Sequence, residues 1–141
     1  MWRGTPSVMA RREWRFEPRP EQLPHARAVL RKWLDARGIP QSVTTDALLI
    51  ASELVANGVV HDGAGPITMR AEATEDNLRL EVVTIDVAAG KTSERFRDAV
   101  EGGHGLRIVK ALTRDFAIHQ EGRVRTVSCS LCATPPERQG R

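Results

Sequence analysis

Tyrosine is absent from these 141 residues and aromatics make up only 4% of them, so the interleaving of aromatic and basic side chains that reads nucleic acid is missing. The formal net charge is +3, and much of the excess lies near the ends, at Arg3, Arg11, Arg12, Arg15 and Arg19 and then at Arg138 and Arg141. A solvated basic periphery accounts for it, and no direct nucleic-acid partner is expected. Cysteine is scarce. Cys129 and Cys132 form a lone C-x-x-C; on a strand, residues three apart point to opposite faces, and no second ligand pair exists to complete a zinc site, so both read as packing residues. No apolar run approaches the roughly 18 residues that would span a bilayer, and no secretory apolar segment opens the chain. A cytoplasmic, reduced protein with no membrane association is expected. Internal repeats and linkers are absent as well.

What is present is 40% hydrophobic content, enough for one domain with a real core. Residues 1–12 read as a flexible segment, 13–133 as the domain, and 134–141, opening on Thr134-Pro135-Pro136, as a disordered tail. Residues 13–17 alternate as a short edge strand stopped by Pro18 and Pro20. Pro24 fits the first turn of a helix burying Ala26, Leu30, Trp33 and Leu34, which Gly38 and Pro40 close. Ser42 is a candidate N-cap for a second helix that runs to about His61 and buries Val43, Ala47, Ile50, Ala51, Leu54 and Gly58. A hairpin follows: one strand with Ile67, Met69, Ala71 and Ala73 on one face, a turn at residues 74–77, and a second strand from Leu78. Residues 87–102 have no clear period and read as a lid-like loop. A helix from Leu106 to Leu112, a strand marked by Phe116 and Ile118, and a last strand carrying Val127, Cys129 and Leu131 complete the order β, α, α, β, β, loop, α, β, β.

Three stretches carry chemistry. On the second helix Glu53, Asn57 and His61 stand four apart and form a polar ridge beside the apolar stripe. A solvated polar face would explain that ridge by itself. Facing a cleft, Asn57 would offer a neutral oxygen to a hard cation such as Mg²⁺, with Glu53 one turn away as a base or second ligand. Asp86 shares its parity with Leu78, Leu80, Val82 and Thr84. It either turns into water at the strand end or accepts from the amino group of a purine. Gly102-Gly103-His104-Gly105 running into Leu106 offers unobstructed backbone N–H groups at a helix start, which suits a triphosphate.

In that order, E-x-x-x-N on a helix, an Asp closing an apolar strand and G-x-G-L opening another helix resemble the three boxes of the histidine-kinase-like (Bergerat-fold) ATPases. Within them, the chain looks most like the single-domain anti-sigma-factor serine/threonine kinases. The resemblance implies an α/β two-layer sandwich, a mixed, mainly antiparallel sheet of about five strands against about three helices. It also implies binding of ATP with Mg²⁺. Glu53 resembles the catalytic base, Asn57 the Mg²⁺ ligand and His61 the histidine closing that helix. Asp86 resembles the adenine-reading residue and Gly90 the last glycine of its box. Gly103, His104, Gly105 and Leu106 resemble the phosphate-side box. Arg125-Thr126-Val127 resembles the family's last-strand Lys-Thr-Val, with Thr126 holding the adenine end although its parity is opposite to that of Val127 and Leu131. The partners implied are a sigma factor, an anti-anti-sigma factor and a second copy of the chain. Ala88 stands where the family has its first glycine and His104 where it has an arginine. Those departures leave open a second reading, a protein-binding module without efficient phosphotransfer.

Overall fold

The computed structural model describes residues 9–61, 65–85 and 104–133. Strand β1 (Ala10–Phe16) leads through a 3-10 turn (Pro20–Gln22) into helix α1 (Leu23–Ala36) and then helix α2 (Gln41–His61). The hairpin β2 (Ile67–Ala73) and β3 (Asn77–Ile85) follows, then helix α3 (His104–Leu112) and the hairpin β4 (Arg114–Glu121) and β5 (Val124–Cys132). The five strands form one sheet in the order β1-β2-β3-β5-β4, and every pairing is antiparallel. Three described helices and this sheet make the expected two-layer α/β fold, with β1 at an edge as its proline-limited length suggested.

Alternation decides which face is covered. Ile67, Met69 and Ala71 of β2, Leu78, Leu80 and Val82 of β3, and Val127, Cys129 and Leu131 of β5 all point to one side and are buried. Leu30 and Leu34 of α1, Ile50, Leu54 and Val55 of α2 and Val109 of α3 join them in one cluster. Full burial of each such aliphatic side chain stabilises the fold by about 1.5–3 kcal/mol relative to exposure. The opposite face has no described element packed on it. There Arg70 donates to Glu13 at 2.7 Å and to Glu81 at 2.9 Å, and Arg79 donates to Glu81 at 3.1 Å, so cross-strand charges replace apolar contacts. The hydrogen bond from Arg70, with its charge, holds the Glu13 carboxyl below the ordinary glutamate range.

Several element boundaries differ from the sequence reading. Strand β1 starts at Ala10, three residues earlier than expected, because Ala10, Arg11 and Arg12 find register partners in Ala73, Glu72 and Ala71. Helix α2 starts at Gln41, with the Thr44 N–H bonded to the Pro40 carbonyl at 3.0 Å, so Ser42 lies inside the first turn and does not cap it. Helix α3 starts at His104, two residues before Leu106, and so takes Gly105 into its first turn. Strand β4 spans eight residues and carries a register shift between Arg114 and Ala117, with Asp115 at a φ of 53°. Gly38, at a φ of 72°, closes α1 as expected: its N–H reaches the Asp35 carbonyl and that of Ile39 reaches Leu34.

Among the described residues, no helix is long and apolar enough to cross a membrane, and no cluster of His, Cys, Asp and Glu could hold a metal ion. Cys129 and Cys132 are not joined in a disulfide and face opposite sides of β5; Cys129 is buried in the core, whereas Cys132 is half-buried. Loss of water around Cys129 pushes its thiol from an ordinary value near 9 up to about 11. The neutral thiol is thus favoured in the folded chain. Between those two values the unfolded chain sheds the proton that the native chain keeps, so this group's contribution to stability falls as pH rises through that window. Iodoacetamide at pH 8 should label Cys132 in the native protein and Cys129 only after unfolding, as peptide mapping would read; native labelling of Cys129 at the rate of an unfolded control would contradict its burial.

Candidate functional site

Helix α2 supplies the central side chains. Its buried stripe includes Val43, Ala47, Ile50, Ala51 and Leu54, which pins one side to the sheet and to α1. Glu53 and Asn57, on the adjoining ridge, are half-buried. The Asn57 Nδ2 donates to the Glu53 backbone carbonyl at 2.8 Å. A carbonyl can only accept, so the contact fixes the sense of the amide: nitrogen toward the helix, Oδ1 away from it. A neutral oxygen is thereby presented one turn from a carboxylate. That donor set suits Mg²⁺, which takes few protein oxygens and keeps water and phosphate in its other positions.

Gly58 determines how close this ridge comes to the sheet. A Cβ added there would lie 2.7 Å from Thr84 Cγ2 and 3.3 Å from Ile67 Cδ1. Glycine within a helix costs about 1 kcal/mol relative to alanine, and here the missing methyl lets α2 rest against β3 and β2. Thr84 pairs in register with Arg125 of β5, whose side chain points to the helix side and is only 1% exposed. A guanidinium withdrawn so far from water needs partners, and Arg125 does have one. It is the residue the sequence reading missed as a helix-side group. Extending the parity of Val127, Cys129 and Leu131 back by two positions would have found it.

The remaining candidates are placed less fully. His61 is the last residue of α2, and His104, Gly105 and Leu106 form the first turn of α3, where backbone N–H groups lack partners within the helix. Asp86, Gly90, Gly103 and the expected lid over residues 87–102 lie outside the described residues. Thr126 pairs with Val83 and His119 and lies on the face opposite Val127, away from the helices. The structure thus brings Glu53 and Asn57 together and does not put Thr126 with them.

Residues 16–131, more than four fifths of the chain, match the family described as the histidine kinase-like ATPase domain. The chain belongs to that family. Among solved structures it is similar to the RsbU and RsbW domains of Rv1364c from Mycobacterium tuberculosis, with a TM-score of 0.65 and 22% identity over 88% of this chain. It spans only 33% of that longer chain. It is also similar to a chain of the SiaB–SiaC complex from Pseudomonas aeruginosa, with a TM-score of 0.62 and 10% identity over 89% of this chain and 90% of the other. At such identities the likeness shows a shared fold. No curated protein matches the chain.

The Gly58 contact predicts an outcome opposite to helix propensity. Gly58→Ala should destabilise the protein by about 1–3 kcal/mol through overpacking, where propensity alone would add about 1 kcal/mol. Adding Thr84→Ser, which removes the obstructing methyl, should recover part of the loss, so the two changes are non-additive in thermal unfolding. Additive effects, or a stabilised Gly58→Ala, would show that the close approach is not a constraint.

Proposed function

We propose that this domain binds Mg²⁺-ATP over the ridge of α2 and the first turn of α3, and that it transfers the γ-phosphoryl group to a serine or threonine of a partner protein. By family resemblance that partner is an anti-anti-sigma factor, and a sigma factor is the second protein it holds. The observation that carries this reading is the Asn57 amide, held with Oδ1 turned away from the helix, one turn from the Glu53 carboxylate.

The division of labour follows from that spacing. Asn57 would hold the metal through Oδ1. When bound, Mg²⁺ supplies positive charge to the phosphate oxygens. Glu53 takes the proton of the incoming hydroxyl as its oxygen bonds to the γ-phosphorus and the bond to the β-phosphate oxygen breaks, leaving ADP. Backbone N–H groups at the start of α3 donate to the phosphates, and Asp86 accepts from the adenine amino group. The likeness to the RsbW and SiaB–SiaC structures supports a regulatory setting with protein partners, although it is a likeness of fold.

Ala88 and His104 favour a second reading. With a Cβ where the family has glycine, and an imidazole where it has a guanidinium, phosphate contacts are fewer and less charged. The chain would then sequester a protein partner in a nucleotide-responsive way without efficient transfer.

Calorimetric titration with ATP and GTP, with and without Mg²⁺, tests the site, and phosphotransfer assays separate the readings. Asn57→Ala should weaken Mg²⁺-ATP binding by about tenfold or more, an effect of about 1.4 kcal/mol. Glu53→Ala should leave binding nearly unchanged and lower turnover by about 10²- to 10⁴-fold, the usual worth of a general base. Turnover in the wild type no higher than in Glu53→Ala, with a protein partner still bound, would decide for sequestration. Asp86→Ala should abolish ATP binding without altering the circular dichroism spectrum, and the wild type should prefer ATP to GTP. Equal affinity for the two nucleotides would remove Asp86 from the site.

A further inference from the structure

The helix-side end of the sheet, at the edge strand β1, carries a groove that none of the nucleotide chemistry uses. Trp14 of β1 and Trp33 of α1 meet edge to face, with ring centroids 6.1 Å apart and planes at 88°. The Arg12 guanidinium lies over the Trp14 ring at 5.7 Å and that of Arg37 over the Trp33 ring at 5.6 Å. Between β1 and α1 a cavity of about 320 Å³ opens, with Val29 and Ala36 completing its apolar wall and Lys32 adding a third cation. That volume is at the small end for ligand pockets and admits an apolar side chain together with its flanking groups.

Charge identifies the occupant. Among the described residues, Arg12, Lys32 and Arg37 form no ion pair, whereas Glu13, the nearest carboxylate along β1, points to the other face and is held by Arg70. Helix α1 and its cap carry Arg27, Arg31, Lys32 and Arg37 against the single carboxylate of Asp35. By sequence, residues 1–8 hold Arg3 and no acid, and residues 134–141 hold Glu137 against two arginines. Stacked nucleobases fit poorly, since a guanidinium already lies over each tryptophan ring.

We propose that this groove docks an acidic segment of a partner protein, with an apolar side chain against Trp14, Val29 and Trp33 and carboxylates on Arg12, Lys32 and Arg37. Arginine and tryptophan at the centre of a small concave patch are the residue types that dominate binding at protein interfaces. Paired to carboxylates, the guanidiniums remain over the rings and gain a counter-charge that no described residue gives them. This site is independent of nucleotide binding on α2 and stands or falls without it.

The test uses the full chain and a fluorescein-labelled, amidated 12-residue peptide alternating Glu and Leu, with its Gln-for-Glu counterpart and a 12-nucleotide single-stranded DNA as controls. Anisotropy should show binding of the acidic peptide alone. Affinity should fall about tenfold in Arg12→Glu and in Arg37→Glu, and should also fall in 0.5 M salt compared with about 0.15 M. Arg31→Glu changes the net charge equally but lies off the groove, so it should change affinity by less than about twofold. All three side chains are exposed, and circular dichroism would confirm that the variants fold. The proposal is overturned by absence of peptide binding, by equal losses in Arg31→Glu, or by DNA binding as tightly as the acidic peptide. It is equally overturned if sedimentation shows a dimer that Arg12→Glu dissociates, for then the groove belongs to a second copy of the chain.

Discussion

The arrangement of the site depends on one close approach, that of α2 to β3 at Gly58. A helix normally rests on a sheet through side chains that keep the backbones well apart. At Gly58 no side chain intervenes, and Thr84 Cγ2 takes the space that a Cβ would need. The residue preceding that contact is Asn57, so the functional ridge is carried to the sheet by the feature that makes the helix locally weaker. The propensity loss, about 1 kcal/mol, is set against packing of Ile67 and Thr84 that no larger residue would allow. Gly65 continues the tight fit on the return to β2, where an added Cβ would lie 3.0 Å from Ile85 Cδ1.

Most of the fold was legible in the sequence because the apolar periods are clean. Alternation over Ile67, Met69, Ala71 and Ala73, and over Leu78, Leu80 and Val82, assigns the hairpin and its buried face without ambiguity. The stripe of α1 is equally plain, and Ala26, Leu30, Trp33 and Leu34 are buried as read. The boundaries were less legible. Whether Ala10 to Arg12 belong to β1 depends on the availability of Ala71 to Ala73 as partners some sixty residues away, a tertiary fact absent from local composition. Ser42 has the chemistry of a cap, but the chain needs only the Pro40 carbonyl to accept the first helical bond.

The candidate site was legible in part. The four-residue spacing of Glu53 and Asn57 was enough to put them on one ridge, and the amide contact gives that ridge a definite chemical sense. Thr126 and Arg125 show where motif matching and parity disagree. The motif favours Thr126, whereas alternation with Val127 puts Arg125 on the helix side, and the sheet register follows alternation. A strand has only two faces, so a motif match that conflicts with a strict period of two is resolved by the period unless a bulge intervenes. The register shift in the β4–β5 pair lies between Arg114 and Ala117, opposite the other end of β5, and does not reach Arg125.

A buried arginine on the site side of the sheet and three cations at its edge that pair with no described carboxylate put positive charge to two different uses. Arg125 has surrendered its hydration, so it depends on the interaction it makes within the fold and belongs to the scaffold under α2. Arg12, Lys32 and Arg37 remain hydrated, so they can exchange water for carboxylates at modest cost and let go again. The open face of the sheet shows the third possibility, in which Glu13, Arg70, Glu81 and Arg79 satisfy one another across three strands. With their charges already paired, those four side chains have little to gain from a charged partner. The groove at β1 has the opposite balance: its apolar wall is formed, Arg12 and Arg37 are positioned by the tryptophan rings, and no described carboxylate pairs with its cations.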